Sequence, residues 1–94
     1  MRFNTPMFPL GQTVATPAAL DRLSEAGETA EVYLRRHASK DWVDLDSDDK
    51  SENDEALLHG GRLLSAYILS SGKKIWIITE ADRSSTTVLC PECY

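Results

Sequence analysis

The order of apolar and polar positions changes its period several times along this chain. Residues 1–9 carry Pro6 and Pro9 among scattered apolar side chains, which predicts an irregular arm packed through Phe3, Met7 and Phe8. The alternation of Thr13, Val14, Ala15 and Thr16 fits a short strand over residues 12–16. Thr16 then offers a capping oxygen and Pro17 a preset φ at the first helical position, and Ala19, Leu20, Leu23 and Ala26 follow at helical spacing until Gly27. Thr29 is positioned to cap a second helix carrying Ala30, Tyr33, Leu34 and His37 at i, i+3, i+4 and i+7, with Arg35 and Arg36 in its last turn, where cations suit the dipole. Ser47, Asp48 and Asp49 read as the capped, acid-rich start of a third helix, which leads to Ala56, Leu57 and Leu58 and ends at Gly60 and Gly61.

Beyond Arg62 the pattern is that of strands. Residues 63–69, a turn at Ser70, Ser71, Gly72 and Lys73, and residues 75–79 predict a hairpin; residues 80–85 form a second turn, and residues 86–90 a third strand broken by Pro91. Ile75, Trp76, Ile77 and Ile78 are all apolar, so this strand is expected to be central and covered on both faces. The expected fold is α+β: a three- to four-stranded, mostly antiparallel sheet with a C-terminal β-meander, covered by about three short helices. With 94 residues, residues 1–94 form a single domain. An apolar content of 41% argues against disorder, and the chain has no apolar run of the ~18 residues that a span requires. No signal-like stretch is present at the amino terminus, and a cytoplasmic protein without a cofactor is the expectation.

Charge adds a feature that the periodicity does not show. Residues 41–55 hold Asp41, Asp44, Asp46, Asp48, Asp49, Glu52, Asp54 and Glu55 against Lys50, a charge of −7 in a chain whose total is −5, so the remainder carries +2. Such a balance disfavours direct nucleic-acid binding, because sequence-independent affinity comes from Lys and Arg displacing counterions, and it points to a protein partner with a basic surface. Asp44, Asp46, Asp48, Glu52 and Glu55 also match the oxygen-donor spacing of an EF-hand loop, but Asp49 stands where the sharp turn needs Gly. Cys90, Pro91, Glu92 and Cys93 give a single zinc knuckle, half a site, which His37 and His59 do not complete at finger spacing. No metal is therefore assigned, and the cysteines are read as two reduced thiols near a frayed end. The two helices around Gly27 resemble a helix-turn-helix in spacing, yet Glu28 and Glu31 stand where base edges would be read, so an αα-hairpin on the sheet is the preferred reading.

Residues 80–87 concentrate Glu80, Asp82, Arg83, Ser84, Ser85, Thr86 and Thr87 between two strands, a makeup suited either to a hydrogen-bonded structural turn or to docking on a partner. His59, Arg62, Glu80 and Arg83 supply the residue types of a metal-free ribonuclease of toxin type, with a base, an acid and phosphate-holding arginines. Residues 10–17, Asp41 with Trp42, residues 53–57, residues 60–67 and residues 74–87 together resemble a family of small bacterial proteins carried on plasmids, phages and integrative elements. Its members are often labelled plasmid-related proteins, and sometimes after the restriction-system subunits beside which they are encoded. The resemblance covers almost the whole chain and implies a setting rather than an activity, with no catalytic residues to carry over. Two function classes follow. The first is a non-enzymatic interaction module of accessory or anti-defence type, contacting its partner through Asp44, Asp46, Asp48, Asp49, Asp82, Arg83 and Ser84. The second is the ribonuclease.

Overall fold

A computed structural model of the chain describes residues 8–39 and 47–93. The elements are β1 (Gln12–Ala15), α1 (Pro17–Ala26), α2 (Ala30–Ala38), α3 (Ser47–His59), β2 (Leu63–Ile68), β3 (Lys74–Thr79), β4 (Ser85–Leu89) and a 3₁₀ turn (Pro91–Cys93). The expected α+β class holds. The four strands form one sheet in the order β1-β4-β3-β2; β2 with β3 and β3 with β4 are antiparallel, and β1 adds in parallel to β4. β3 is thus an inner strand, as its unbroken apolar run requires.

Local chemistry explains the helix ends. The Thr16 Oγ1 accepts from the Ala19 amide at 3.2 Å, Pro17 opens α1, and Gly27 closes it in the left-handed region at φ 70° with Glu28 N donating to Leu23 O at 2.9 Å. Thr29 does occupy the N-cap position of α2, but its side chain makes no capping bond, so that expectation is corrected in part. Instead the linker is tied to the β2–β3 hairpin: a Glu28 carboxylate oxygen accepts from the Tyr33 hydroxyl, the other from Ser70 N at 2.9 Å, and Ser70 Oγ donates to Ala26 O at 3.0 Å. These bonds hold the Glu28 carboxyl below its ordinary range, the Tyr33 bond most of all. The two helices are accordingly an αα-hairpin laid on the sheet.

The main core lies between that hairpin and one sheet face. Ala19, Leu23 and Tyr33 pack on Tyr67, Ile75, Ile77, Val88 and Cys90, and the fully buried Tyr67, Ile75 and Ile77 each contribute roughly 1.5–3 kcal/mol by leaving water. Here a sequence expectation fails. Cys90 is not a thiol at a frayed end; its side chain is wholly buried in this cluster, because β4 carries the chain back through the core before Pro91 turns it. A second cluster joins Phe8 and Leu63 to Leu10, Ala56, Leu57 and Ala66, so the arm does pack through Phe8, while Phe3 and Met7 lie outside the described residues. Among the described residues no helix is long and apolar enough to cross a membrane.

Candidate functional site

The acidic segment meets the fold through α3. Asp44 and Asp46 lie outside the described residues, and Asp48 and Asp49 fall in the first turn of the helix, where acids are favoured by the backbone dipole. An α-helix running unbroken from Ser47 through Glu55 is not the wrapped loop that EF-hand spacing presupposes. Asp54 and Glu55 are exposed, while the neighbouring Asn53 is almost wholly buried. The Asn53 amide donates to Leu64 O at 2.5 Å and accepts from Leu64 N at 3.0 Å, so one side chain serves the outer edge of β2 as a neighbouring strand would. Ala56 and Leu57 complete the contact. The helix is thereby anchored along one side, leaving Asp54 and Glu55 in water.

The turn over residues 80–85 sits at the other end of α3. Arg83 has φ 62°, a left-handed conformation that costs a non-glycine residue roughly 1–2 kcal/mol. Its guanidinium offsets that cost with backbone acceptors: Nη1 donates to Gly61 O at 2.6 Å and Glu80 O at 3.0 Å, and Nη2 to Ala56 O at 3.3 Å. Ala56 O also accepts from the Gly60 and Gly61 amides, so the arginine completes the C-terminal cap of the acidic helix. Asp82 Oδ1 accepts from Ser84 N at 3.0 Å, and these Ser84 bonds hold the Asp82 carboxyl below its usual range. Gly11, just before β1, presses on the same turn; a Cβ there would stand 2.4 Å from Ser84 O, and its φ of +66° is a second reason for glycine. Arg83 and the turn therefore join two of the regions that the sequence marked, the acidic helix and residues 82–84.

Of the ribonuclease grouping, Arg62, Glu80 and Arg83 lie beside one another, Arg83 donating to the carbonyl of Glu80 and to that of Gly61 next to Arg62. Arg62 Nη2 stands 3.4 Å from Glu80 Oε1, Arg83 is held on backbone carbonyls, and His59 Nε2 stands 3.5 Å from Glu55 Oε2 on its own helix. Among the described residues no group of three or more His, Cys, Asp or Glu is arranged to hold a metal ion.

What the sequence did not reveal is a buried polar chain under α2. His37 has no exposed surface; its Nδ1 lies 2.5 Å from Ser65 Oγ and its Nε2 2.8 Å from Thr79 Oγ1, which lies 2.8 Å from Thr86 Oγ1, and Thr86 Oγ1 donates to Leu10 O at 2.7 Å. The proton directions follow by elimination, since each hydroxyl has one hydrogen. Thr86 spends its hydrogen on Leu10 O, so Thr79 must donate to Thr86, His37 Nε2–H to Thr79, and Ser65 to Nδ1. The imidazole is the neutral Nε2–H tautomer. Burial is the larger cause, and the charge of Arg83 the smaller, that lowers its pKa to about 4. Phe8 closes the ring edge-on at 5.2 Å between centroids. The only sequence signal was His37 at the i+7 position of an apolar helical face.

Comparison with known proteins finds no matching family model, no matching curated protein and no matching solved structure. The fold and the charge distribution therefore carry the functional argument on their own.

Proposed function

We propose that the protein is a non-enzymatic interaction module encoded on a mobile element, acting in the cytoplasm in an accessory or anti-defence role. Its partner is a protein with a basic surface, contacted by Asp44, Asp46, Asp48 and Asp49 and by the turn at Asp82, Arg83 and Ser84. The observation that carries this reading is the segregation of charge: a segment of −7 in a chain whose remainder is +2. Two facts add support. The described acids Asp54 and Glu55 are exposed while the helix is fastened to the sheet through Asn53, and Arg83 sets the turn against the end of the same helix. A charged, rigid surface of this kind speeds encounter with an oppositely charged protein, and does so most at low salt.

The test begins with recovery of binding partners from the host and their identification by mass spectrometry. Association rates of the purified pair are then compared for the native chain and for a quadruple variant with Asp44, Asp46, Asp48 and Asp49 each changed to Asn. Slower association with a flatter salt dependence is expected. An unchanged rate and salt response in the variant sinks the acidic-surface reading.

A further inference from the structure

The two edges of the sheet are finished differently. Along β2 the Asn53 side chain bonds both the N–H and the C=O of Leu64, so that edge is occupied from within the chain. β1, the other edge in the order β1-β4-β3-β2, has no strand on its outer side among the described residues. Its pairing with β4 fixes which backbone groups face outward. Gln12 N donates to Ser84 O at 3.0 Å and Thr16 N to Val88 O at 2.9 Å, so in this parallel ladder Gln12, Val14 and Thr16 turn their peptide groups toward β4. The N–H and C=O of Thr13 and Ala15 therefore point away from the sheet. Gln12–Ala15 holds no charge and no proline of the kind that blunts an open edge, and Gln12, Thr13 and Val14 are exposed.

We propose that β1 is the contact of a symmetric dimer, in which a second copy of this chain lays its own β1 antiparallel along the first and the two sheets join into one. The edge is complementary to itself. With a two-fold axis at Val14, Thr13 of each copy faces Ala15 of the other, both pairs exchange N–H to C=O bonds, and Pro17, which has no N–H, ends the ladder. Val14 then lies opposite its own counterpart in the closer, non-hydrogen-bonded kind of pair, and a side chain 44% exposed in the monomer gains an apolar neighbour. Charge permits a second copy at this edge and not at the other. The acidic helix α3 is fastened to β2, at the far side of the sheet. In the joined sheet the two β2 strands stand seven strand spacings apart, roughly 34 Å at ~4.8 Å each, against a Debye length of about 8 Å at physiological salt. The two acidic helices are thus outermost and screened from one another, whereas pairing through β2 would bring them together. Strands of four residues bury less than the ~1,000 Å² of a stable interface, so the dimer is weak and forms as concentration rises.

Sedimentation equilibrium and amide hydrogen exchange of the whole chain, from about 1 μM to about 1 mM, provide the test. The mean mass should rise toward that of two chains. The Thr13 and Ala15 amides, open to water in dilute protein, should become protected at high concentration, while the Val14 amide, turned to β4 throughout, keeps its protection. Val14→Lys sets two cations opposite each other, and Thr13→Pro removes an outward N–H that the β4 ladder does not use. Each should weaken association about tenfold or more and leave the melting temperature of the dilute protein in place. A mass of one chain at every concentration, self-association that neither variant weakens, or a dimer in which Thr13 and Ala15 exchange as they do in the monomer overturns the proposal. So does protection of those two amides only by a strand from a different protein.

Discussion

A histidine withdrawn from water must find partners for both ring nitrogens or lose stability, and His37 finds them in two hydroxyls from different strands. Its neutrality has a pH consequence whose sign is fixed. Above the unfolded value of 6.5 the ring is neutral in both states and its full contribution is present; as pH falls toward the folded value of about 4, the unfolded chain takes up a proton that the folded chain refuses, so stability declines. Between about pH 7 and pH 5 the expected loss is about 2 kcal/mol. The lowered carboxyls of Glu28, Asp82 and Glu92 act further toward acid, since their contributions persist above their ordinary values of 4.5, 3.8 and 4.5 and fade only below them. Urea unfolding at the two pH values checks the point: His37→Gln should be less stable at neutral pH and should lose most of the slope, and an undiminished slope would place the titrating group elsewhere. Cys90 gives a second residue-scale expectation. Replacing its buried thiol by the hydroxyl of Cys90→Ser should cost about 1–3 kcal/mol, read as a fall in melting temperature, because a hydroxyl is harder to bury among apolar neighbours.

At the scale of elements, α3 is joined to β2 by the hydrogen bonds of Asn53 beside the apolar contact of Ala56 and Leu57. Asn53 supplies both a donor and an acceptor to the Leu64 peptide, so Asn53→Ala leaves a part-buried amide and carbonyl without those bonds. A loss of about 2 kcal/mol is expected, together with faster hydrogen exchange at the Leu64 amide; protection equal to that of the native chain would show that the edge is held by other contacts. This residue also marks how far the sequence could be read. Helices α1 and α2, the hairpin and the central strand were legible because their signals are local: Thr16 with Pro17, Gly27, the run at residues 75–78. Asn53 was not, since inside a run of acids it has the appearance of another solvated polar residue, and its partner lies eleven positions away on another element. The parallel pairing of β1 with β4 was hidden for a related reason: alternation identifies a strand, not its neighbour. The hydroxyls of Ser65, Thr79 and Thr86 read as ordinary strand residues until the topology aligned them, with Thr79 and Thr86 in register across β3 and β4.

For the whole molecule the question is what a segment of −7 costs the fold. Two effects oppose each other. Acids in the first turn of α3 gain from the helix dipole, each by roughly 0.3–1 kcal/mol at low ionic strength. Eight acids within fifteen residues repel one another, and that repulsion acts between many pairs, whereas the dipole term falls away beyond the first turn and so favours Asp48 and Asp49 but not Asp54 or Glu55. Repulsion should therefore win while screening is weak. Changing Asp44, Asp46, Asp48 and Asp49 to Asn is expected to leave stability level or raised by up to about 1 kcal/mol at ~0.01 M salt, where the Debye length is about 30 Å and the whole segment interacts with itself. At ~0.15 M the length is about 8 Å, and the two proteins should converge. Thermal melts across that range check the expectation. A gain that persists at high salt would mean that the substitutions act through packing or helix propensity, and a loss at low salt would mean that the dipole governs. The expected pattern, repulsion retained in the free protein and relieved by screening, is also what a surface matched to a basic partner should show, because the partner's cations would relieve the same strain on contact.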